Sequence, residues 1–262
     1  MDLTIKWKES YKFVAVRYFM DISYKGTNFN GWQIQPNGVT VQEEIEKALS
    51  TILQSEIAIV GSGRTDTGVH ATHQVAHFDT EKVDVEKLVF KLNSFLNQDI
   101  SINGIRSVRE DVSARFEATS RMYHYHINQV KSPFIKELSY YFRPELDVEE
   151  INKACEIIKD WQNFECFSKV HTEVNNFNCE IFHARWIQDG TNHRFEIAAN
   201  RFLRGMVRAV VGTLLDIGME KTSLDNLREV LKSNDRSKAG RAVPAEGLFL
   251  QEVIYPKDIY LN

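Results

Sequence analysis

Residues 40–61 read TVQEEIEKALSTILQSEIAIVG, and the two ends of that stretch ask for different backbones. Thr40 with Glu43 three residues later forms a capping box, and Val41, Ile45, Leu49 and Ile52 then recur at the spacing of one helix face. From Ile57 the run IAIVG (57–61) is short, apolar and rich in β-branched residues, which reads as a strand. A helix that gives way to a strand within a few residues belongs to a chain that lays helices on a sheet. Working outward, Phe13 to Ile22 alternates, with Val14, Val16, Tyr18, Met20 and Ile22 on one face, so a strand precedes the helix. HQVAHFDT (73–80) reads as a strand, DVEKLVFKLNSFL (84–96) as a helix and ISINGIRSV (100–108) as a strand. The order is βαββαβ.

The second half repeats the rhythm. RMYHYHI (121–127) is a strand, and a helix over 147–159 is capped by Asp147 with Glu150. CEIFHARWIQ (179–188) and HRFEIAA (193–199) flank Asp189-Gly190, a hairpin signal. Helices near 201–217 and 223–232 precede a last strand, GLFLQEVIY (247–255). The economical fold is α+β: two ferredoxin-like halves, 1–110 and 111–262, joined through a shared antiparallel sheet with a cleft between them. No low-complexity linker separates the halves.

At 262 residues, 43% of them hydrophobic, the chain is long enough for a sizeable core. No run of about eighteen apolar residues suggests a membrane span, and MDLTIKWKES at the start lacks the apolar stretch of a secretory leader. Cys155, Cys166 and Cys179 are odd in number and form no CxxC pair, which argues against a disulfide framework and a cysteine zinc site. A cytoplasmic protein with reduced thiols is expected. The formal charge of −4 does not advertise a nucleic-acid binder, but a local basic groove is compatible with it.

Three stretches carry candidate chemistry. In GSGRTDTGVHATHQ (61–74), Gly61, Gly63 and Gly68 bracket Arg64, Asp66, His70 and His73. The glycines allow positive φ and close backbone approach, so Asp66 stands either at the lip of a cleft or in a turn where it satisfies its own backbone. ANRFLRGMVRAVVG (199–212) places Arg201, Arg204 and Arg208 on one side of an expected helix, with no acidic partner before Asp216. That face is either solvated or suited to phosphate, whose oxygens guanidinium forks bind in pairs. RMYHYHI puts Arg121, Tyr123 and Tyr125 on one strand face, either as core or as a surface on which RNA bases stack. His70, His73 and His77 with Asp66 and Asp79 raise a metal reading; strand alternation puts His73 and His77 on one face but leaves His70 in the preceding loop, so alternation alone does not make the three converge.

GSGRTDTGVHA, GWQIQPNGVTVQEEIEKAL, SARFEATSRMYHYHI, NRFLRGMVRAVVGTLL and GLFLQEVIY together closely resemble the TruA family of tRNA pseudouridine synthases, in the family's order and over nearly the whole chain. The resemblance implies a homodimeric, cofactor-independent enzyme that isomerises uridine in the tRNA anticodon stem-loop, around positions 38 to 40 of the tRNA. It makes Asp66 the catalytic aspartate and Arg64 the arginine that assists extrusion of the base. Tyr123 becomes the ring that stacks on the target uracil, Arg208 the partner of the aspartate, and Leu248 a pocket wall. Arg201 and Arg204 are then phosphate ligands in an RNA-binding cleft. Thr67, Gly205, Val243 and Ser113 depart from the family's usual alanine, histidine, threonine and histidine, but none removes a carboxylate, cation or ring from this site.

Two rivals stand beside that reading. A catalytically silent tRNA-binding or tRNA-folding protein on the same halves would leave Asp66 unexplained, because a carboxylate opposes phosphate binding. A metal-dependent hydrolase would use the histidines.

Overall fold

The computed structural model describes residues 15–169 and 176–261 of the chain. Strand β1 (Val16–Tyr24) begins the first half; Phe13 and Val14 of the expected strand lie outside the described residues. Helix α1 (Val41–Leu53) starts where the capping box puts it, with the Thr40 hydroxyl accepting from the Glu43 amide at 3.3 Å. Strand β2 (Val60–Gly61) is much shorter than the apolar run that suggested it. Side chains of α1 explain this: Ser50 Oγ takes the Ile57 amide and Glu46 Oε1 the Ile59 amide, each at 2.9 Å, so those donors never reach a ladder.

Next come β3 (His70–Thr80), α2 (Val85–Phe95), capped by Asp84, and β4 (Ile100–Val108). The second half contains β5 (Ser120–Asn128), a two-residue β6 (Tyr140–Tyr141), α3 (Val148–Lys159), β7 (Ile181–Asp189), β8 (Asn192–Ala199), α4 (Met206–Gly218), α5 (Leu224–Ser233) and β9 (Leu248–Ile254). Asp147 caps α3 through the Glu150 amide at 2.9 Å. The β7–β8 hairpin turns at Gly190, whose φ of 58° is left-handed and so favours glycine. Among the described residues no helix is long and apolar enough to cross a membrane.

Among the described residues all the strands join one sheet in the order β4-β1-β3-β9-β5-β8-β7, with β2 added to β3 and β6 to β5. The sheet is mixed, which corrects the expectation of an antiparallel one: β3 meets β9 in parallel through His70↔Phe249 and Ala71↔Leu250. The reason is topological. Connector 109–119 crosses sideways at one end of the sheet, so β5 runs opposite to β4; β9, antiparallel to β5, must then run with β3. Helices and strands enclose two cores. One gathers Met20, Ile22, Ile45, Leu49 and Leu92, and the other Phe164, Trp186, Ile197, Val210 and Leu214, all essentially inaccessible to water. They interlock: Leu250, Val253, Tyr255 and Ile259 near the C-terminus pack into the first core, Val69 packs into the second, and Tyr123 touches both. Cys155, Cys166 and Cys179 are free, buried thiols that burial pushes up to about 12, about 12 and about 11.

Candidate active site

The loop from β2 to β3 presents Asp66, and a second loop beneath it holds it in place. Gly31 there has φ +82°, and a Cβ added to it would lie 2.5 Å from the Thr65 carbonyl oxygen. Trp32 donates its backbone N–H to that carbonyl at 3.2 Å, and its indole rests on Gly61, where a Cβ would meet Nε1 at 2.5 Å. The buried Tyr24 hydroxyl bonds Thr65 Oγ1 at 2.8 Å. GWQIQP is therefore a support for the loop. Of the three bracketing glycines, Gly68 supplies a left-handed turn (φ +78°) and Gly61 a close approach, whereas Gly63 has open space around it.

The Asp66 carboxylate is 31% exposed and faces two guanidinium groups, with Arg208 Nη1 at 3.5 Å and Arg204 Nε at 3.7 Å. These are ion pairs longer than hydrogen bonds, so both carboxylate oxygens retain room for a further partner. The two arginines differ in freedom. Arg208 is 23% exposed and donates Nε to the Val243 carbonyl at 2.6 Å, while Arg204 is 58% exposed. Their shared helix face requires correction, because α4 begins only at Met206. Gly205 stands before it with φ +73°, a conformation that no helix continues through, and Arg201 and Arg204 lie in the loop ahead. Loop and first helical turn still bring Arg204 and Arg208 together at Asp66. Arg201, half-buried, lies near enough to Arg121 to act on its charge.

Tyr123 projects from β5 between Leu250 and Ile197 of the neighbouring strands, with its ring edge-on to Phe202 at 5.1 Å. Burial pushes its phenol up to about 12; the Arg121 cation opposes the shift and the Asp66 charge adds to it. At neutral pH it is a protonated hydroxyl that feels the carboxylate. Tyr125, two residues on, is wholly buried and donates to the Pro244 carbonyl at 2.8 Å, a structural role. Leu248 is buried at the start of β9 in the core that contains Val69 and Tyr125, and Arg64 is exposed two residues from Asp66.

Arg121 does more than its place beside the tyrosines announced. Nη1 donates to the carbonyls of Ala118 and Asn200 at 3.3 and 2.9 Å, and Nη2 to those of Ser62 and Arg115 at 2.9 and 2.7 Å. One guanidinium thus ties the Asp66 loop, connector 109–119 and the loop that bears Arg201 and Arg204. Burial lowers its pKa from the usual guanidinium value, and the four carbonyl oxygens accept its hydrogen bonds.

The histidines are employed elsewhere. His70, His73 and His77 each accept a backbone amide at Nδ1, from Gly26, Val253 and Ala114 respectively, and Asp79 pairs with Arg17 at 2.7 Å. Among the described residues no three potential metal ligands converge. An arrangement of one accessible carboxylate, two cations and a protonated phenol can bind an anionic substrate, place an aromatic base and act on a developing positive charge.

A family model described as "tRNA pseudouridine synthase" matches residues 21–117 and 161–256. The chain is 48% identical to tRNA pseudouridine synthase A of Parabacteroides distasonis over 93% of its length and 98% of that protein's. It is 46% identical to the Bacteroides fragilis protein of the same name, with the same coverage, and 38% identical to that of Bacillus subtilis over 89% of this chain and 97% of the relative. Among solved structures, the archaeal box H/ACA Nop10–Cbf5 complex overlays with a TM-score of 0.31 at 9% identity, over 84% of this chain and 59% of that one, too loosely to bear on the fold.

Proposed function

The chain belongs to the tRNA pseudouridine synthase family, isomerases acting on tRNA, and from that premise we propose that Asp66 converts uridine to pseudouridine in the anticodon stem-loop, around positions 38 to 40 of the tRNA. The reaction breaks the bond from uracil N1 to C1′, turns the ring, joins C5 to C1′ and releases the C5 proton while N1 regains one. Positive charge develops at C1′ as N1 leaves with the bonding pair. A carboxylate relieves it, by attack at C1′ or as a base in an elimination. A base stacked in a stem cannot reach Asp66, so it is flipped out at a cost of a few kcal/mol. Stacking on Tyr123 and phosphate contacts to the arginines offset that cost.

The observation that carries the reading is the convergence on Asp66 of Arg204 and Arg208, with the Tyr123 phenol in reach of its field. Arg64, exposed two residues before Asp66, is suited to fill the gap that a flipped base leaves, and Arg201 and Arg204 to hold backbone phosphate. Leu248 closes the pocket behind the base. A cytoplasmic homodimer is part of the same reading, carried by the resemblance.

Release of tritium from tRNA labelled at uracil C5 tests it. Wild-type protein releases the label, and Asp66→Asn, nearly the same in volume but neither a nucleophile nor a base, retains tRNA binding and loses turnover at least about a thousandfold. Asp66→Asn turnover within about tenfold of wild type would remove Asp66 from the chemistry.

A further inference from the structure

We propose that Arg115 and Phe116 form a second base platform at the rim of the site: an RNA base flanking the target uridine stacks on the Phe116 ring and Arg115 takes an adjoining phosphate. The inference rests on the tRNA reading above and extends it to a residue pair outside the set around Asp66.

Phe116 is 78% exposed, although its neighbours Val112, Ala114 and Ala118 on the same connector are buried in the first core. The fold therefore has an apolar interior within one or two residues, and this ring is left outside it. The Arg115 guanidinium carbon lies over the ring, 5.4 Å from its centroid. A cation against an exposed aromatic is the pairing with which single-stranded RNA is held, the ring taking a base of any identity and the cation a phosphate.

Placement singles this ring out from the other exposed phenylalanines. Arg121 Nη2 donates to both the Arg115 and the Ser62 carbonyl, so the two oxygens lie within about 6 Å of each other. Ser62 opens the loop that presents Asp66 four residues on, and Nη1 of the same guanidinium reaches Asn200, next to Arg201. The platform thus shares one anchor with the Asp66 loop and with the arginine loop. Phe90 and Phe95 lie on α2, Phe134 in the segment before β6 and Phe182 on the edge strand β7, and none of them adjoins in sequence a residue that Arg121 anchors. A flipped uridine loses its stacking neighbours, and the base next to it is exposed by the same step. A ring beside the site gives that base a partner and favours the open form of the RNA.

The test uses the full-length protein and fluorescently labelled unfractionated tRNA, read by anisotropy at fixed salt. Phe116→Ala should weaken binding by about 5- to 150-fold, the loss for one stacked base, with an unchanged thermal midpoint because the ring is exposed. Phe116→Tyr, which keeps the ring, should bind within about twofold of wild type. Arg115→Gln should flatten the dependence of log affinity on log salt by up to about one unit. Phe116→Ala binding within about twofold of wild type, or Phe116→Tyr as weak as Phe116→Ala, overturns the platform. Turnover of the wild type, measured in parallel, separates the two readings. An active wild type with Phe116→Ala binding unchanged sinks the platform alone, whereas binding that depends on Phe116 without isomerisation sinks the Asp66 chemistry alone.

Discussion

Asp66 is flanked by guanidinium groups of unequal exposure, and the proposed function gives them different work. In that reading Arg208, fixed by its bond to the Val243 carbonyl, holds the carboxylate in one orientation, and Arg204, the more exposed of the two, turns toward phosphate. Arg208→Gln should lower turnover at saturating tRNA by about 10- to 150-fold, the loss of one charge-assisted contact, and leave the salt dependence of binding nearly unchanged. Arg204→Gln should do the reverse, flattening the salt dependence by up to about one unit and changing saturated turnover less than about threefold. Single-turnover kinetics with salt titrations of binding separate the two, and equal losses of turnover would show that the carboxylate needs both. At this scale residue types made Asp66, Tyr123 and the arginines candidates and left a structural role open for each, because a carboxylate between glycines, a tyrosine-bearing strand and cations without local acidic partners are visible in the chain; their roles came from the family resemblance. It placed Arg201 and Arg204 on a helix because their spacing fits one, and only the left-handed Gly205 shows otherwise. The anchoring role of Arg121 was illegible, since its four acceptors come from three separate segments and no spacing within the chain expresses that.

Between elements, α4 is held to the segment that follows α5 by contacts that demand a glycine. A Cβ on Gly212 would lie 1.8 Å from the Arg241 carbonyl oxygen, a backbone atom that no rotamer change moves aside. The same crossing is stitched by Gly240 N–H to Thr213 Oγ1 at 2.9 Å and by Val243 N–H to the Arg208 carbonyl at 3.1 Å. Gly212→Ala should therefore push the strap away from α4, cost more than about 2 kcal/mol of stability, and loosen the Val243 contact that fixes Arg208. A urea midpoint together with tritium release at saturating tRNA reads both effects; an unshifted midpoint would mean that the strap gives way freely. The helices were legible because capping residues and apolar stripes are local signals, and α1 and α3 begin at the residues their caps named. The short extent of β2 was not, because the Ile57 and Ile59 amides just before it are claimed by side chains of α1, a competition that the apolar run IAIVG does not reveal.

Across the whole molecule, one sheet carries two interlocked cores that should unfold as one cooperative body, and its buried histidines should make that body sensitive to acid. The parallel β3–β9 junction could not be read from strand propensity, since direction follows from how a connector crosses the sheet. Around that junction His70 stacks on Phe249 and His126 meets the same ring edge-on. Burial lowers His126 to about 4, helped by the nearby charges of His124, Arg194 and His70 and opposed by Glu196, and burial likewise lowers His70, His77, His124 and His193. In the unfolded chain each titrates near 6.5, so below that pH the unfolded state binds protons that the folded state refuses. Their contribution is whole above about 6.5 and is lost as pH falls toward the folded values. For His126 alone the loss between pH 7 and pH 5 is about 1–2 kcal/mol after allowance for its partial exposure. His126→Gln should thus lose about 1–2 kcal/mol less than wild type over that interval, whatever its stability at pH 7. Urea unfolding at both pH values, followed by tryptophan fluorescence and far-ultraviolet dichroism, measures it. The two signals should coincide in a single transition, because Trp32 sits in the first core, Trp186 in the second, and the C-terminal residues that pass between them belong to both halves. Equal acid losses in His126→Gln and wild type would assign the sensitivity to the other histidines, and separated transitions would show that the junction does not couple the cores.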